Sequence, residues 1–351
     1  MLLAVSSLAL GATPGVWKPA ADSPTKRMEG SMASLQDERI AYVGGTYMGS
    51  AAGRAVYDPA RKSALGGQPF SSGAVYDPAK NSWAVIPDML TPRDAPGTCV
   101  MSSPGGSMNL YAFGGTVAYP TSNTTVANIT SSVESIVIGP SGQTWSFQPS
   151  LPSARTSPSV TRLGDSSGCV VAGGFSSNTT GFEYLTDAYL FDGTLYSRLP
   201  DLPYGRSNAA IVAANNGVYH IGGGSLDPSY YNVSYLQLSP TVGKAWEPMA
   251  PLHKARSWAS VAALLDPKSG RERIVVAGGM SLNPMFDPMA SVEIYNPKKN
   301  EWTLFDDGEP GALPVPIGFG SGARINSTHM LVGGGVGQGT TGSEAYIFQL
   351  A

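Results

Sequence analysis

The sequence predicts an all-β chain closed into a ring of six sheets, a six-bladed β-propeller, and three recurring features predict it. A glycine doublet follows a short apolar run six times, at Gly44-Gly45, Gly114-Gly115, Gly173-Gly174, Gly222-Gly223, Gly278-Gly279 and Gly333-Gly334. An aromatic residue stands between successive doublets, at Trp83, Trp145, Tyr196, Trp246 and Trp302, and a further one, Trp17, precedes them all. Five of these aromatics lie ten residues before an arginine: Arg27, Arg93, Arg155, Arg206 and Arg256. Self-similarity at about fifty residues is the mark of a propeller or a solenoid.

The two ends of the chain complete each other. Residues 15–20 read as the fourth strand of a repeat with no doublet before them, whereas the last repeat, from Gly318, ends after its third strand near Glu344 to Phe348. An open ring would expose unpaired strand edges, so the N-terminal strand is expected to complete the last blade. Blade 1 then runs from about Ser31 to Val85, with Ala55 to Pro59 a near copy of Ala74 to Pro78. The second copy is expected in the sheet, because its turn leads straight to Trp83. Blade 2 covers 96–148 with a polar insert over 116–130, and blades 3, 4 and 5 cover 157–199, 208–249 and 258–305. Trp302 lacks its arginine; an acidic, proline-rich link over 306–316 stands there instead. Within each repeat the doublet allows close passage of backbone at angles other residues avoid, and the aromatics fill the wedge between sheets. The arginines, at the turns between blades, are assigned first to tying carbonyls and aromatics together and second to meeting an anion at the loop mouth.

Composition narrows the function. The 351 residues carry Gly 43 and Pro 28, suited to many short strands joined by turns, and 42% hydrophobic residues, enough for a core. A formal net charge of −3 without a Lys/Arg cluster leaves no footprint for nucleic acid, and no run of eighteen apolar residues occurs to span a membrane. Residues 1–12 form a short apolar stretch with small residues placed for cleavage, a candidate signal peptide, so 13–351 is read as one propeller domain. Five sequons, at Asn123, Asn128, Asn178, Asn232 and Asn326, point the same way. A secreted, extracellular and monomeric protein is expected, with a cytoplasmic one as the alternative. Cys99 and Cys169 are either one bridge or two buried thiols.

The doublets, the aromatic spacing and the segments Tyr76-Asp-Pro-Ala-Lys-Asn-Ser-Trp83 and Tyr295-Asn-Pro-Lys-Lys-Asn-Glu-Trp302 resemble the kelch family of β-propellers over nearly the whole chain. That resemblance implies a six-bladed kelch fold, and little about function, since the family hosts scaffolds, receptors and enzymes alike. The galactose oxidase family sets a copper site on such repeats, with a Tyr-His step, a second His, a second Tyr and a Cys. Here Tyr219-His220 stands without that second set, and only three histidines occur, so no metal and no cofactor is expected. Neither a nucleophile elbow nor a phosphate loop is present.

In kelch propellers the loops after the second strands and those between blades ring one mouth of the channel. Carried over by position, the ligand-binding candidates are Tyr47, Tyr119, Phe175, Tyr184, Tyr230, Tyr231, Trp258, Met280 and Phe286. Such a neutral, aromatic mouth suits a glycan, an apolar small molecule or a protein surface. The leading expectation is a secreted, non-catalytic binding propeller. The first alternative is a metal-free isomerase, cyclase or lyase acting on a small metabolite, with Glu29, Arg206, Asn208, Tyr231 and Arg256 as acid/base or polarising groups. The second is an intracellular scaffold.

Overall fold

The structure, a computed structural model, describes residues 15–47, 57–58, 63–64, 68–102, 106–119, 127–139, 143–164, 168–178, 181–224, 232–237, 245–282 and 285–351. These form a six-bladed propeller of four-stranded antiparallel sheets, with no helix among the described residues. Blade 1 is Ser31–Ser34, Ile40–Val43, Gly73–Asp77 and Ser82–Ile86, so the second copy of the duplicated segment is the third strand. The first copy contributes Tyr57–Asp58, paired with Ser63–Ala64 outside the sheet. The innermost strands of blades 2 to 6 are Gly97–Ser102, Ser159–Arg162, Ala210–Ala214, Ser260–Leu265 and Ser321–Arg324.

The ring closes as its sequence requires. Val16–Ala20 pairs antiparallel with Ala345–Gln349, Trp17 opposite Phe348, and becomes the outermost strand of blade 6. The second strands of blades 1, 3 and 4, Ile40–Val43, Cys169–Ala172 and Gly217–Ile221, are buried along their whole length, because neighbouring blades cover both faces. A strand in that position reads as a continuous apolar run. The core is accordingly split into wedges between neighbouring blades. Phe305, Leu313 and Val292 of blade 5 meet Met330, Val332 and Phe348 of blade 6. At the junction of blades 1 and 6, Tyr42 and Tyr76 meet Leu331 and Ile347. Between blades 2 and 3, Cys99 and Cys169 are joined as a disulfide, which selects one of the two alternatives the sequence left open.

Two hydrogen-bond patterns repeat around the ring. In the outer one, the fourth-strand aromatic of each blade donates to a carbonyl just past the fourth strand of the preceding blade. Trp83 reaches Ala21, Trp145 Pro87, Trp246 Pro200, Trp302 Ala250 and Trp17 Gly311, at 2.8 to 2.9 Å. Tyr196 makes the equivalent bond with its hydroxyl, to Pro149 at 3.0 Å. In the middle pattern, the second glycine of each doublet donates its N–H to the carbonyl of the arginine that follows its blade, for example Gly45 to Arg93 and Gly115 to Arg155.

Two details differ from the sequence reading. In blade 6 the residues with the left-handed backbone are Gly334 and Gly335, at φ 68 and 76, and Gly335 donates to Arg27. The doublet is therefore one residue later than Gly333-Gly334, in a run of three glycines where spacing alone does not fix the register. Where the sixth arginine is missing, Ile317 supplies the carbonyl, accepting from Gly279 at 2.8 Å, and its side chain is buried beside Leu313. The 306–316 link thus replaces an ion-bonded corner with an apolar one.

Candidate functional site

The inner wall of the propeller encloses a channel of about 650 Å³. The first strands of all six blades line it, from Ser31–Ser34 of blade 1 to Ser321–Arg324 of blade 6.

One mouth is bounded by a collar. Glu29, Ala95, Ser157, Asn208, Trp258 and Phe319, each just before the first strand of its blade, have φ between 48 and 56. Five of these left-handed residues point their N–H to the carbonyl of the neighbour around the ring. Glu29 donates to Phe319 and Ala95 to Glu29 at 2.9 and 3.0 Å, Ser157 to Ala95 and Trp258 to Asn208 at 2.9 Å, and Asn208 to Ser157 at 3.4 Å. Only glycine adopts this angle freely, so six side chains other than glycine at one repeat position mark a conformation imposed by the ring.

Charge gathers at one side of the collar. Asp94, the residue before Ala95, is 1% exposed, and its Oδ2 accepts from the Tyr119 hydroxyl. The carboxyl groups of Asp94 and Glu29 lie close enough that each shifts the pKa of the other. Burial raises the Asp94 pKa well above the usual carboxylate range, and the Glu29 charge adds to it. Burial also raises Glu29, against the lowering effect of hydrogen bonds from Asp94 and from Trp258. Two carboxyls that influence each other this closely titrate as a pair, and Glu29, half-buried on the channel wall, is the member that faces the lumen.

Aromatic side chains roof this pair. The rings of Trp258 and Phe319 meet edge to face at 4.6 Å, over an apolar cluster of Met28, Met280 and Val336. Met280 is fully buried, so it supports the roof from beneath. Phe175 and Tyr184 pair across the hairpin Phe175–Asn178 and Gly181–Tyr184, 5.3 Å between centroids. Tyr47 is exposed at the start of the blade 1 loop. Phe286 lies in the hairpin strand Met285–Pro288, while Tyr230 and Tyr231 lie outside the described residues, as does Asn123.

The remaining candidates sit elsewhere. Arg206 and Arg256 are almost completely buried. Arg206 donates to the Gly222 and Asn232 carbonyls at 2.9 and 3.1 Å, and Arg256 to those of Gly278 and Ser291 at 2.9 Å and to Glu293 Oε1 at 2.9 Å. Of the two roles weighed for the arginines, the structural tie is the one their contacts serve: a guanidinium locked on carbonyls behind the collar does not reach the mouth. Asn208 is in the collar, its side chain donating to Ser207 Oγ at 3.1 Å. Asn128 is exposed in the blade 2 hairpin. Asn232 lends its carbonyl to Arg206, and Asn326 Oδ1 accepts from the backbone of Thr328 and His329.

The three histidines are dispersed. His220 is buried in blade 4, its Nε2 3.0 Å from Ser159 Oγ, and burial holds its pKa well below the usual value. His253 meets Glu293 at 3.1 Å, and His329 caps the turn of blade 6. Among the described residues no three His, Cys, Asp or Glu side chains group as a metal site.

Sequence reasoning passed over Asp94. The signal was present: the residue after each arginine is Met28, Thr156, Ser207 or Ser257 elsewhere in the ring, and only here a carboxylate. Glu134 and Glu293 were passed over too. Both are fully buried in third strands, bonded to Arg93 and Arg256 at 2.7 and 2.9 Å, and both occur in the pattern Ser-Val-Glu.

No protein-family model matches the chain. Among curated proteins it is similar to N-acetylneuraminate epimerase of Salmonella typhi, 28% identical over 143 residues, which is 40% of this chain and 34% of that protein. The same enzyme of Salmonella enteritidis and of Salmonella typhimurium is 27% identical over the same extent. The matched stretch thus covers about a third of the length of these relatives.

Proposed function

We propose that the protein is a kelch-type propeller whose collared mouth binds a small polyhydroxylated, sugar-like metabolite, and that Glu29 and Asp94 move protons on it in a metal-free isomerisation. The observation that carries this reading is the adjacency of two carboxyls, the buried Asp94 and Glu29 on the channel wall, next to the paired rings of Trp258 and Phe319. A buried carboxyl pair can give one proton and take another near neutral pH, which is what tuned acid/base groups do. In an exchange of sugar anomers, Glu29 takes the proton of the anomeric hydroxyl while the proton held with Asp94 passes to the ring oxygen. The ring C–O bond breaks, a carbonyl forms, and reclosure from the other face regenerates the pair. Aromatic faces would bind the apolar side of the sugar. The epimerase named among the similar proteins supports a reaction of this class.

The test follows anomer exchange of N-acetylneuraminate and of neutral aldoses by proton NMR. Exchange should be accelerated by the protein and lowered about 100-fold or more in Glu29→Gln, with the thermal midpoint kept. No acceleration with any sugar overturns the reading. Saturable binding without exchange would instead favour the binding-only propeller, which the aromatic pairs Trp258 with Phe319 and Phe175 with Tyr184 also suit.

The disulfide between Cys99 and Cys169 supports an oxidising compartment, and with it secretion and glycosylation at the five sequons, over an intracellular scaffold. A mass shift on enzymatic deglycosylation of the protein secreted by its own cells is the check.

A further inference from the structure

Two departures from the repeat meet in one hydrogen bond. The residue after each of the five arginines is a carboxylate only at Asp94. The residue four places past each doublet, counted from Gly334-Gly335 in blade 6, is aromatic only at Tyr119; elsewhere it is Gly49, Asn178, Asp227, Asn283 or Gly339. The hairpin that carries Tyr119 is rooted on Asp94 itself. Asp94 and Thr116 exchange backbone hydrogen bonds at 2.8 Å in both directions, and Thr116 opens the strand Thr116–Ala118, paired with Asn128–Ile129. Tyr119 follows directly, its hydroxyl donating to Asp94 Oδ2. Thr156 of the blade 3 corner backs the root, accepting from Thr116 Oγ1 at 3.1 Å and donating to the Asp94 carbonyl at 3.5 Å. Arg93, next in the chain, is spent on Glu134 at 2.7 Å. The titratable groups that face Asp94 among the described residues are therefore Glu29, from blade 1, and Tyr119. Burial, with the charges of both carboxyls added, pushes Tyr119 upward, so it remains a hydroxyl and a donor.

We propose that Tyr119 is the positioning residue of the proton transfer, acting through Asp94: it holds the carboxyl in place and stabilises the charge Asp94 acquires on giving its proton to the sugar ring oxygen. This rests on the isomerase reading of the mouth. A hydroxyl binds a carboxylate more strongly than it binds the protonated acid, so the bond strengthens as the proton leaves and favours that step. Tyr119 keeps its own proton throughout and forms no bond to the sugar. Sequence reasoning counts Tyr119 among the ligand contacts; with its hydroxyl on Asp94, its influence on a ligand is indirect.

Tyr119→Phe, which removes the hydroxyl and keeps the ring, is compared with the parent and with Tyr235→Phe. The latter removes a hydroxyl that donates to the Asn215 carbonyl at 2.9 Å, in the turn between the first two strands of blade 4. In Tyr119→Phe, kcat for anomer exchange should fall about tenfold with KM unchanged, since a hydrogen bond to a charged group is worth that or more. The alkaline limb of its pH profile should move upward, because Asp94 without its donor holds its proton to higher pH. Tyr235→Phe should match the parent. Apart from activity, the carbon-13 titration of the Asp94 carboxyl should shift its midpoint upward in Tyr119→Phe and stay in place in Tyr235→Phe. An inactive parent would sink the isomerase reading, and the titration would then decide Tyr119: an upward shift supports its hold on Asp94, and no shift overturns it. With an active parent, the proposal is overturned if Tyr119→Phe leaves kcat, the pH limb and the Asp94 titration unchanged. A rise in KM alone also overturns it, by making Tyr119 a ligand contact.

Discussion

The Trp17 indole donates to the Gly311 carbonyl at 2.9 Å across 294 residues of sequence. It is the sixth bond of the outer series, and it links blade 6 to blade 5 as every other blade is linked to its predecessor. The strand that begins the described chain therefore supplies blade 6 with a ladder, an aromatic contact to Phe348 at 4.8 Å and this interblade tie at once.

Removing residues 15–20 should leave the protein insoluble or lower its thermal midpoint steeply, since a long strand edge is bared. Trp17→Ala is the finer test. Loss of a buried Trp costs about 3–5 kcal/mol, and the half-buried position of Trp17 places it toward the lower end. An unchanged midpoint in both variants would mean that the ring is held without this strand.

Arg256→Ala should destabilise the fold by roughly 3–5 kcal/mol, because Glu293 would keep its charge in a buried site with its cation gone. Urea unfolding measures it. The double variant Arg256→Met with Glu293→Gln should recover part of the loss, which a purely steric role for Arg256 does not predict.

The bridge between Cys99 and Cys169 spans a sequence separation of 70, for which loop entropy gives roughly 4 kcal/mol as an upper figure. Cys99→Ser with Cys169→Ser should therefore lower the unfolding midpoint in guanidinium without altering the far-ultraviolet spectrum. Equal midpoints for the variant and the oxidised parent would show that blade packing alone sets stability there.

Stability should respond to pH in two opposite ways. Glu29 and Asp94 have raised values in the folded chain, so the stability tied to their protonated forms is whole below the unfolded carboxyl range near about 4. It is lost as pH rises through the raised values. His220 has a lowered value; its contribution is present above about 6.5 and is lost as pH falls. Thermal melts of Asp94→Asn and of His220→Asn against the parent separate the two. The Asp94→Asn curve should gain on the parent toward high pH and the His220→Asn curve toward low pH. Parallel curves would remove both assignments.

How far the sequence carried differs between fold and site. Trp83, Trp145, Tyr196, Trp246 and Trp302 announce the blades because each fills the same wedge and makes the same bond, so one physical demand recurs six times. The paired ends, 15–20 and 344–348, were legible because an unpaired edge is untenable. The site breaks the repeat, and repetition cannot reveal it. Asp94 matters because it differs from Met28, Thr156, Ser207 and Ser257, and Glu29 because the packing of blade 2 on blade 1 sets their entry corners side by side, Ala95 donating to the Glu29 carbonyl. Arg206 and Arg256, assigned first to tying carbonyls together and second to the loop mouth, hold the carbonyls of Gly222, Asn232, Gly278 and Ser291, as the first assignment expects.

The collar has a mechanical meaning. Five of its six steps are backbone hydrogen bonds and the sixth is spanned by the rings of Trp258 and Phe319, so the aperture is a hoop whose circumference is set by the number of blades. Widening it would break several bonds together, whereas the hairpins above are free to vary one by one. The opening therefore works as a gauge: it sorts molecules by cross-section before any side chain reads their chemistry, and evolution can change what is recognised at the rim without changing what fits through it.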